Sequence, residues 1–303
     1  MSTTPRSLSL AVLIVALAAC SAGTAGGPTS NPSPSPTAGS GGSGAPGETP
    51  DFGAIDHPTG PTDIVLQMED GGGFVMAGFR AAEAPIFTLY GDGTIIFRNP
   101  TLDPLPSIGA VMPLHPYRTA KLTEAQIQDR LAYALGEGGL GIARPDYPNN
   151  QISDASTTVF TLNAGGLTKT VSIYALGLEL DGMADGPARA AFARLAERLR
   201  TIDANGAIAT TEFVPERYRG ALFEGQLGVP DARPWPWTTI LPSDFVVDAD
   251  PNGLQMPVRI LTAAAVEALG IDPFEGGFLG ATLIGPGDGR VYSFSLRPLL
   301  PGE

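Results

Sequence analysis

Ile86-Phe87-Thr88-Leu89-Tyr90-Gly91-Asp92-Gly93-Thr94-Ile95-Ile96-Phe97 is the stretch whose reading decides the fold. Two runs of β-branched and aromatic residues flank Gly-Asp-Gly, and Asp and Gly tolerate the positive φ that a tight hairpin needs. The stretch predicts two antiparallel strands. Upstream, Ile64-Val65-Leu66-Gln67-Met68 reads as a further strand, broken by Glu69-Asp70 and by Gly71-Gly72-Gly73. Downstream, the chain as far as Tyr117 is rich in proline and reads as an ordered loop.

Helix signals follow. Thr123 can cap, and Gln126 stands three residues on, as in a capping box. Ile127, Leu131 and Leu135 then make one apolar stripe, closed by Gly136 and Gly138. Thr157 to Leu162 and Thr168 to Tyr174 predict a second hairpin around Asn163 to Gly166. Pro187 opens a second helix whose apolar stripe is Ala188, Phe192, Leu195, Leu199 and Ile202. Arg189, Arg194, Glu197, Arg198 and Arg200 fall on its other faces. Two hairpins and two amphipathic helices predict an α+β unit over 61–204, an antiparallel sheet with helices on one face.

Past Asn205 the texture changes. Short strands are expected at 218–224 and 244–248, a short helix after Thr262, and a hairpin of 279–284 with 290–296 around Gly287-Asp288-Gly289. Residues 205–303 therefore read as a second, smaller α+β unit.

The N-terminus reads as an address. Arg6 precedes an apolar run, Leu8 to Ala19, too short for a transmembrane helix, which takes about 20 residues. Leu17-Ala18-Ala19-Cys20 closes it and holds the single cysteine of the chain. The pattern resembles the bacterial lipoprotein signal. That resemblance implies a signal peptide over 1–19, a diacylglyceryl group on the Cys20 sulfur, and Cys20 as the mature N-terminus. Two or more acyl chains are what stable anchoring takes. With one cysteine, an intramolecular disulfide is excluded.

Residues 20–60 are nearly all Gly, Ser, Pro, Thr and Ala and read as a disordered linker. Such a leash spans roughly 35 Å as a coil and at most about 130 Å stretched. The expected location is the extracytoplasmic side of the cell membrane, with membrane contact through Cys20.

Phe87 to Thr94, Leu122-Thr123 with Ile127, the Thr-rich strand, and Gly166 with Thr168-Lys169-Thr170-Val171 resemble an uncharacterised α+β domain of bacterial secreted proteins. The likeness covers 61–204. Its motifs are turns and caps, so it implies a fold and carries no activity.

Chemistry-bearing motifs are few. The 31 acidic and 18 basic residues give a formal charge of −13, which opposes nucleic acid and anionic headgroups. Gly136-x-Gly138-x-x-Gly141 has the letters of a dinucleotide loop but follows a helix instead of preceding one, so it reads as a helix end. Asp248, Asp250 and Asn252, with Gly253, match the opening of a calcium loop. Arg259 stands where that loop takes a bidentate Glu, so calcium would need a distal acid such as Asp272 or Glu275.

Trp235 and Trp237 among prolines are candidates for a sugar- or peptide-binding platform, or for a cover over the junction of the two units. His57 and His115 are the only histidines, which argues against a His-rich zinc site. Glu69-Asp70 and Asp181 to Asp185 are the nearest things to a carboxylate pair and read as solvated turns. The expectation is a non-catalytic, lipid-anchored envelope protein that binds a protein or polymer partner or plays a structural role. The alternatives are an envelope-polymer hydrolase using a carboxylate pair and a solute-binding lipoprotein; the chain lacks the strand–helix alternation usual in the latter.

Overall fold

Residues 53–75, 77–100, 105, 111–179, 182–204, 206–225, 231–249, 255–287 and 289–303 are described by a computed structural model. Cys20, Asp181, Asp250 and Asn252 lie outside them, as does the side chain of Asp248. In chain order the elements are β1 (Ile64–Gly71), α1 (Ala77–Ala81), β2 (Phe87–Tyr90), β3 (Thr94–Arg98), β4 (Met112–Pro113), β5 (Tyr117–Lys121) and α2 (Glu124–Leu135). Next come β6 (Asp146–Tyr147), β7 (Thr157–Ala164), β8 (Leu167–Tyr174), α3 (Gly186–Arg200), β9 (Thr211–Glu212) and β10 (Arg217–Glu224). The last are β11 (Arg233–Pro234), β12 (Val246–Ala249), β13 (Gln255–Thr262), α4 (Ala263–Glu267), β14 (Phe278–Ile284) and β15 (Val291–Pro298).

The fold is α+β, built on two largely antiparallel sheets. The first sheet has eight strands in the order β6-β8-β7-β1-β2-β3-β5-β9. The hairpin at Gly91-Asp92-Gly93 forms as expected. The Gly93 N–H donates to Tyr90 O at 2.9 Å, Gly93 takes a φ of +85°, and Phe87 pairs with Phe97. On one face, Leu66, Met68, Phe160, Leu162, Val171 and Ile173 pack against Ile127 and Leu131 of α2 and Phe192, Leu195 and Leu199 of α3.

The capping box on α2 is present. Thr123 Oγ1 accepts from Gln126 N at 3.3 Å, and Gln126 Oε1 accepts from Thr123 N at 2.9 Å. The glycines after α2 serve packing, as expected of a helix end: a Cβ at Gly141 would lie 2.6 Å from Leu135 O.

The second sheet runs β11-β14-β15-β10-β13-β12, with β4 pairing to β14. Tyr218, Phe245, Leu261, Phe278, Phe294 and Leu296 form the core on one of its faces. On the other face Ala221, Met256 and Val258 pack against Ala81 of α1, an element inserted between two strands of the first sheet. A Cβ on Gly78 would stand 2.9 Å from Ser295 Oγ, so a side chain there would have to displace that hydroxyl.

The structure corrects several expectations. β1 runs on through Glu69-Asp70 to Gly71, because those residues pair with Val159, Thr158 and Thr157 of β7. The proline-rich stretch before Tyr117 yields β4, and β4 joins the second sheet. Strand β9 lies beyond 204 yet belongs to the first sheet, and residues 51–303 cluster into one compact unit holding both sheets.

Residues 53–60, expected in the linker, are fastened to the fold. Gln128 Nε2 donates to Ile55 O at 2.9 Å, Ile55 N donates to Gln128 Oε1 at 2.7 Å, and Gly165 N donates to Asp56 O at 2.8 Å. His57 is held by Pro58 O at 2.7 Å and Glu124 Oε1 at 3.2 Å. Apart from the His57–Pro58 contact, each of these anchors depends on a partner distant in sequence.

Arg189 is the largest correction within a helix. The helical spacing puts it on a polar face, yet it is fully buried. Its Nη1 donates to Tyr174 O at 3.0 Å and its Nη2 to Tyr147 O at 2.7 Å and Pro148 O at 2.9 Å. These carbonyls lie at the ends of β8 and β6 and need a donor once buried. Asp185 Oδ1, 3.3 Å from Nε, accompanies the charge.

Candidate functional site

Side chains of consecutive strand residues point to opposite sides of a sheet. On β1 this separates the two acids that looked like a pair. Asp70 turns to the helix side, where it meets Arg200 of α3 and accepts the Thr158 hydroxyl. Glu69 turns to the other side and lies in register with Val159 of β7, which in turn faces Ser172 of β8. Glu69, Val159 and Ser172 therefore form a row on the face that the helices leave uncovered.

That row is the floor of a cavity of about 430 Å³ between the two sheets. Arg219 of β10, Met256 of β13 and Arg297 of β15 face it from the second sheet. Arg219 and Arg297 are directly opposite one another in the β10–β15 ladder. Gly71, Gly72, Arg80 and Glu83 close one side and Glu303 another. The volume falls within the range of small-molecule sites, roughly 300–1,000 Å³.

Most of the lining charge is already engaged. Arg297 grips Glu303 with two parallel bonds, Nη1 to Oε2 at 2.9 Å and Nη2 to Oε1 at 2.8 Å, a geometry that adds direction to charge. Leu300 N donates to the same carboxylate at 2.7 Å. This places Leu300 beside Tyr90, Ile96 and Tyr117, sealing the rest of the open face. Glu83 accepts from Gly72 N at 2.9 Å. A Cβ on Gly71 would come within 2.9 Å of the Glu83 carboxylate, so the glycine is what lets that side chain cross the backbone.

Glu69 and Arg80 differ from these. Among the described residues neither side chain makes a hydrogen bond or ion pair, and both line the cavity. Burial pushes the Glu69 carboxyl above the ordinary range, Glu303 and Glu83 push it further, and Arg297 opposes them. Burial also raises the Tyr117 hydroxyl, which donates to Pro85 O at 2.6 Å.

The other sequence candidates lie elsewhere. Trp235 and Trp237 are not an exposed platform and do not bridge the sheets. Their rings meet edge-on at 5.1 Å inside the second core, against Phe245 and Phe294. Both indoles donate to backbone, Trp235 to Ile240 O at 2.6 Å and Trp237 to Ala265 O at 2.7 Å. Prolines at 234 and 236 favour extended backbone, and burial of two large rings outweighs their display.

Asp248 lies on edge strand β12, opposite Met256. Glu275 accepts from Phe274 N at 3.1 Å, and Asp272 precedes a cis proline. Among the described residues no group of three or more His, Cys, Asp or Glu side chains is arranged to hold a metal. Asp185 is engaged by Arg144 at 3.0 Å and by Arg189.

Sequence reasoning missed Arg80, Arg219 and Arg297, which carry no motif; only their strand pairings bring two of them together. No helix among the described residues is long and apolar enough to cross a membrane. No known protein family, curated protein or solved structure matches the chain.

Proposed function

We propose that this protein is a lipid-anchored envelope protein, tethered outside the membrane through Cys20, that binds its partner in the cavity between the two sheets without transforming it. The anchoring rests on Leu17-Ala18-Ala19-Cys20 after an apolar run, and on the polar stretch that follows. The binding role rests on one observation above others: a cavity of about 430 Å³ in which two lining charges of opposite sign, Glu69 and Arg80, make no hydrogen bond or ion pair among the described residues. Buried or half-buried charges normally find one.

The test is a crosslinking pull-down from intact cells with the native anchor, beside fractionation of Cys20→Ala. The wild type should sediment with membranes and yield a discrete crosslinked partner. The variant should be released or left unprocessed. A processed, membrane-bound Cys20→Ala protein contradicts the anchoring.

One observation favours a second reading. A carboxyl raised by burial, as at Glu69, suits a general acid. Turnover of peptidoglycan fragments, abolished by Glu69→Gln, would establish hydrolysis in place of binding.

A further inference from the structure

The row Glu69–Val159–Ser172 is one wall of the cavity, and Arg80 stands on the α1 side. Every other charged side chain there is tied to a neighbour or has a contact of its own: Asp70 to Arg200, Glu83 to Gly72, Glu303 to Arg297, and Arg219 within the protein. A lone cation would be met by Glu69 and repelled by Arg80. A lone anion would meet the reverse. A ligand carrying both charges satisfies both groups at once. Ser172 adds a hydroxyl, also without an internal partner among the described residues, two strands from Glu69.

Gly72 lies against the Arg80 guanidinium. A Cβ on Gly72 would stand 3.5 Å from Arg80 Nη1, and Gly72 holds a φ of +82°, where other residues are strained. Val159 and Met256 add apolar side chains to the charged lining.

We infer that the cavity binds a small zwitterion of the amino-acid or dipeptide type, its ammonium on Glu69 and its carboxylate on Arg80. This rests on the binding role proposed above and gives it a ligand class. The ammonium donates to the Glu69 carboxylate, and the planar guanidinium of Arg80 receives the ligand carboxylate in a charge-assisted pair. The Ser172 hydroxyl, two strands away on the same face, offers the ligand a further hydrogen-bonding group.

The test is isothermal titration of the full chain in detergent with each of the twenty free amino acids and with dialanine. At least one probe should bind saturably, and Glu69→Gln and Arg80→Gln should each weaken it about tenfold or more. Ligand chemistry tests the same contacts on the unaltered protein, whatever the variants do to folding. The N-acetyl form of the binding probe should lose about the same affinity and no longer respond to Glu69→Gln, and the carboxamide form should no longer respond to Arg80→Gln.

No saturable heat up to about 10 mM for any probe overturns the inference. So does an N-acetyl form that binds as well as its parent, which would mark a simple anion site. If no zwitterion binds but a crosslinked partner is still captured and lost in Glu69→Gln, the binding role stands and the ligand class falls.

Discussion

The two sheets are built from the same alternating strands but end differently. The second is packed on both faces: aromatic rings fill one side, and α1, with Ala81, covers part of the other, where Arg219, Met256 and Arg297 face the cavity. The first is covered by α2 and α3 on one side only. Its other face is sealed at one end by Leu300 and two tyrosines and left charged at the other. The second sheet is packed with apolar side chains over most of both faces and gives the cavity one charged wall. The first has an inner face packed for stability and an outer face that lines the cavity. Small penalties on the outer face and large penalties on the inner ones should follow.

The largest contrast is between neighbouring positions. Phe294→Ala removes a fully buried ring that touches Trp237, Phe245 and Phe278, and should cost about 3–5 kcal/mol in urea unfolding. Phe160→Ala, on the helix side of the first sheet, belongs in the same range. Val159→Ala, next to it but on the cavity floor, should cost about 1 kcal/mol or less. Equal losses at 159 and 160 would break the comparison.

Arg189→Ala comes next. It strips the donor from three carbonyls, that of Tyr147 buried and those of Tyr174 and Pro148 partly so, and should cost about 3 kcal/mol, measured by the same unfolding. A near-neutral result would mean that water reaches the ends of β6 and β8.

Smaller and opposite in sign is Ser295→Ala. The Ser295 hydroxyl is buried against α1 without a partner, so its removal should stabilise by about 1 kcal/mol. The same change should make Gly78→Ala less costly, because it removes the atom that an added Cβ would strike.

The smallest effect is a pH dependence. Glu69 has its folded pKa raised, chiefly by burial, so the folded state holds that proton more tightly than the unfolded chain. Its contribution is fully present below the ordinary carboxylate value of 4.5 and is lost as pH rises through the raised folded value. Glu69→Gln should therefore raise the Tm at pH 7, with the gain vanishing as pH falls below 4.5. A gain that persists at low pH would point to packing and away from ionisation.

Local signals were legible where local chemistry decides the outcome. Gly91-Asp92-Gly93, the Thr123–Gln126 capping box and the Thr262 cap stand where the sequence puts them. The alternation Thr158, Phe160, Leu162 shows the buried face of β7 by itself. The signals failed where a distant partner decides. Glu69-Asp70 look like a strand end until β7 pairs with them, and Arg189 looks solvated until two strand ends turn toward it. The cavity was invisible for the same reason: it needs Arg219 and Arg297 opposite each other on one sheet and Glu69 on another. The tryptophans misled because their proline flanks suggest a displayed loop, while neighbouring rings draw them inward.

The claim that the uncovered face of the first sheet is where the protein meets its partner is tested most directly by site-specific photocrosslinking in intact cells. One photoreactive residue replaces Val159 on the cavity floor; another replaces Ile142, which is exposed on the surface of the same unit. The expected result is a discrete adduct from position 159, weakened by Glu69→Gln and by Arg80→Gln, and none of that mass from position 142. An adduct from 142 with nothing from 159 would contradict it.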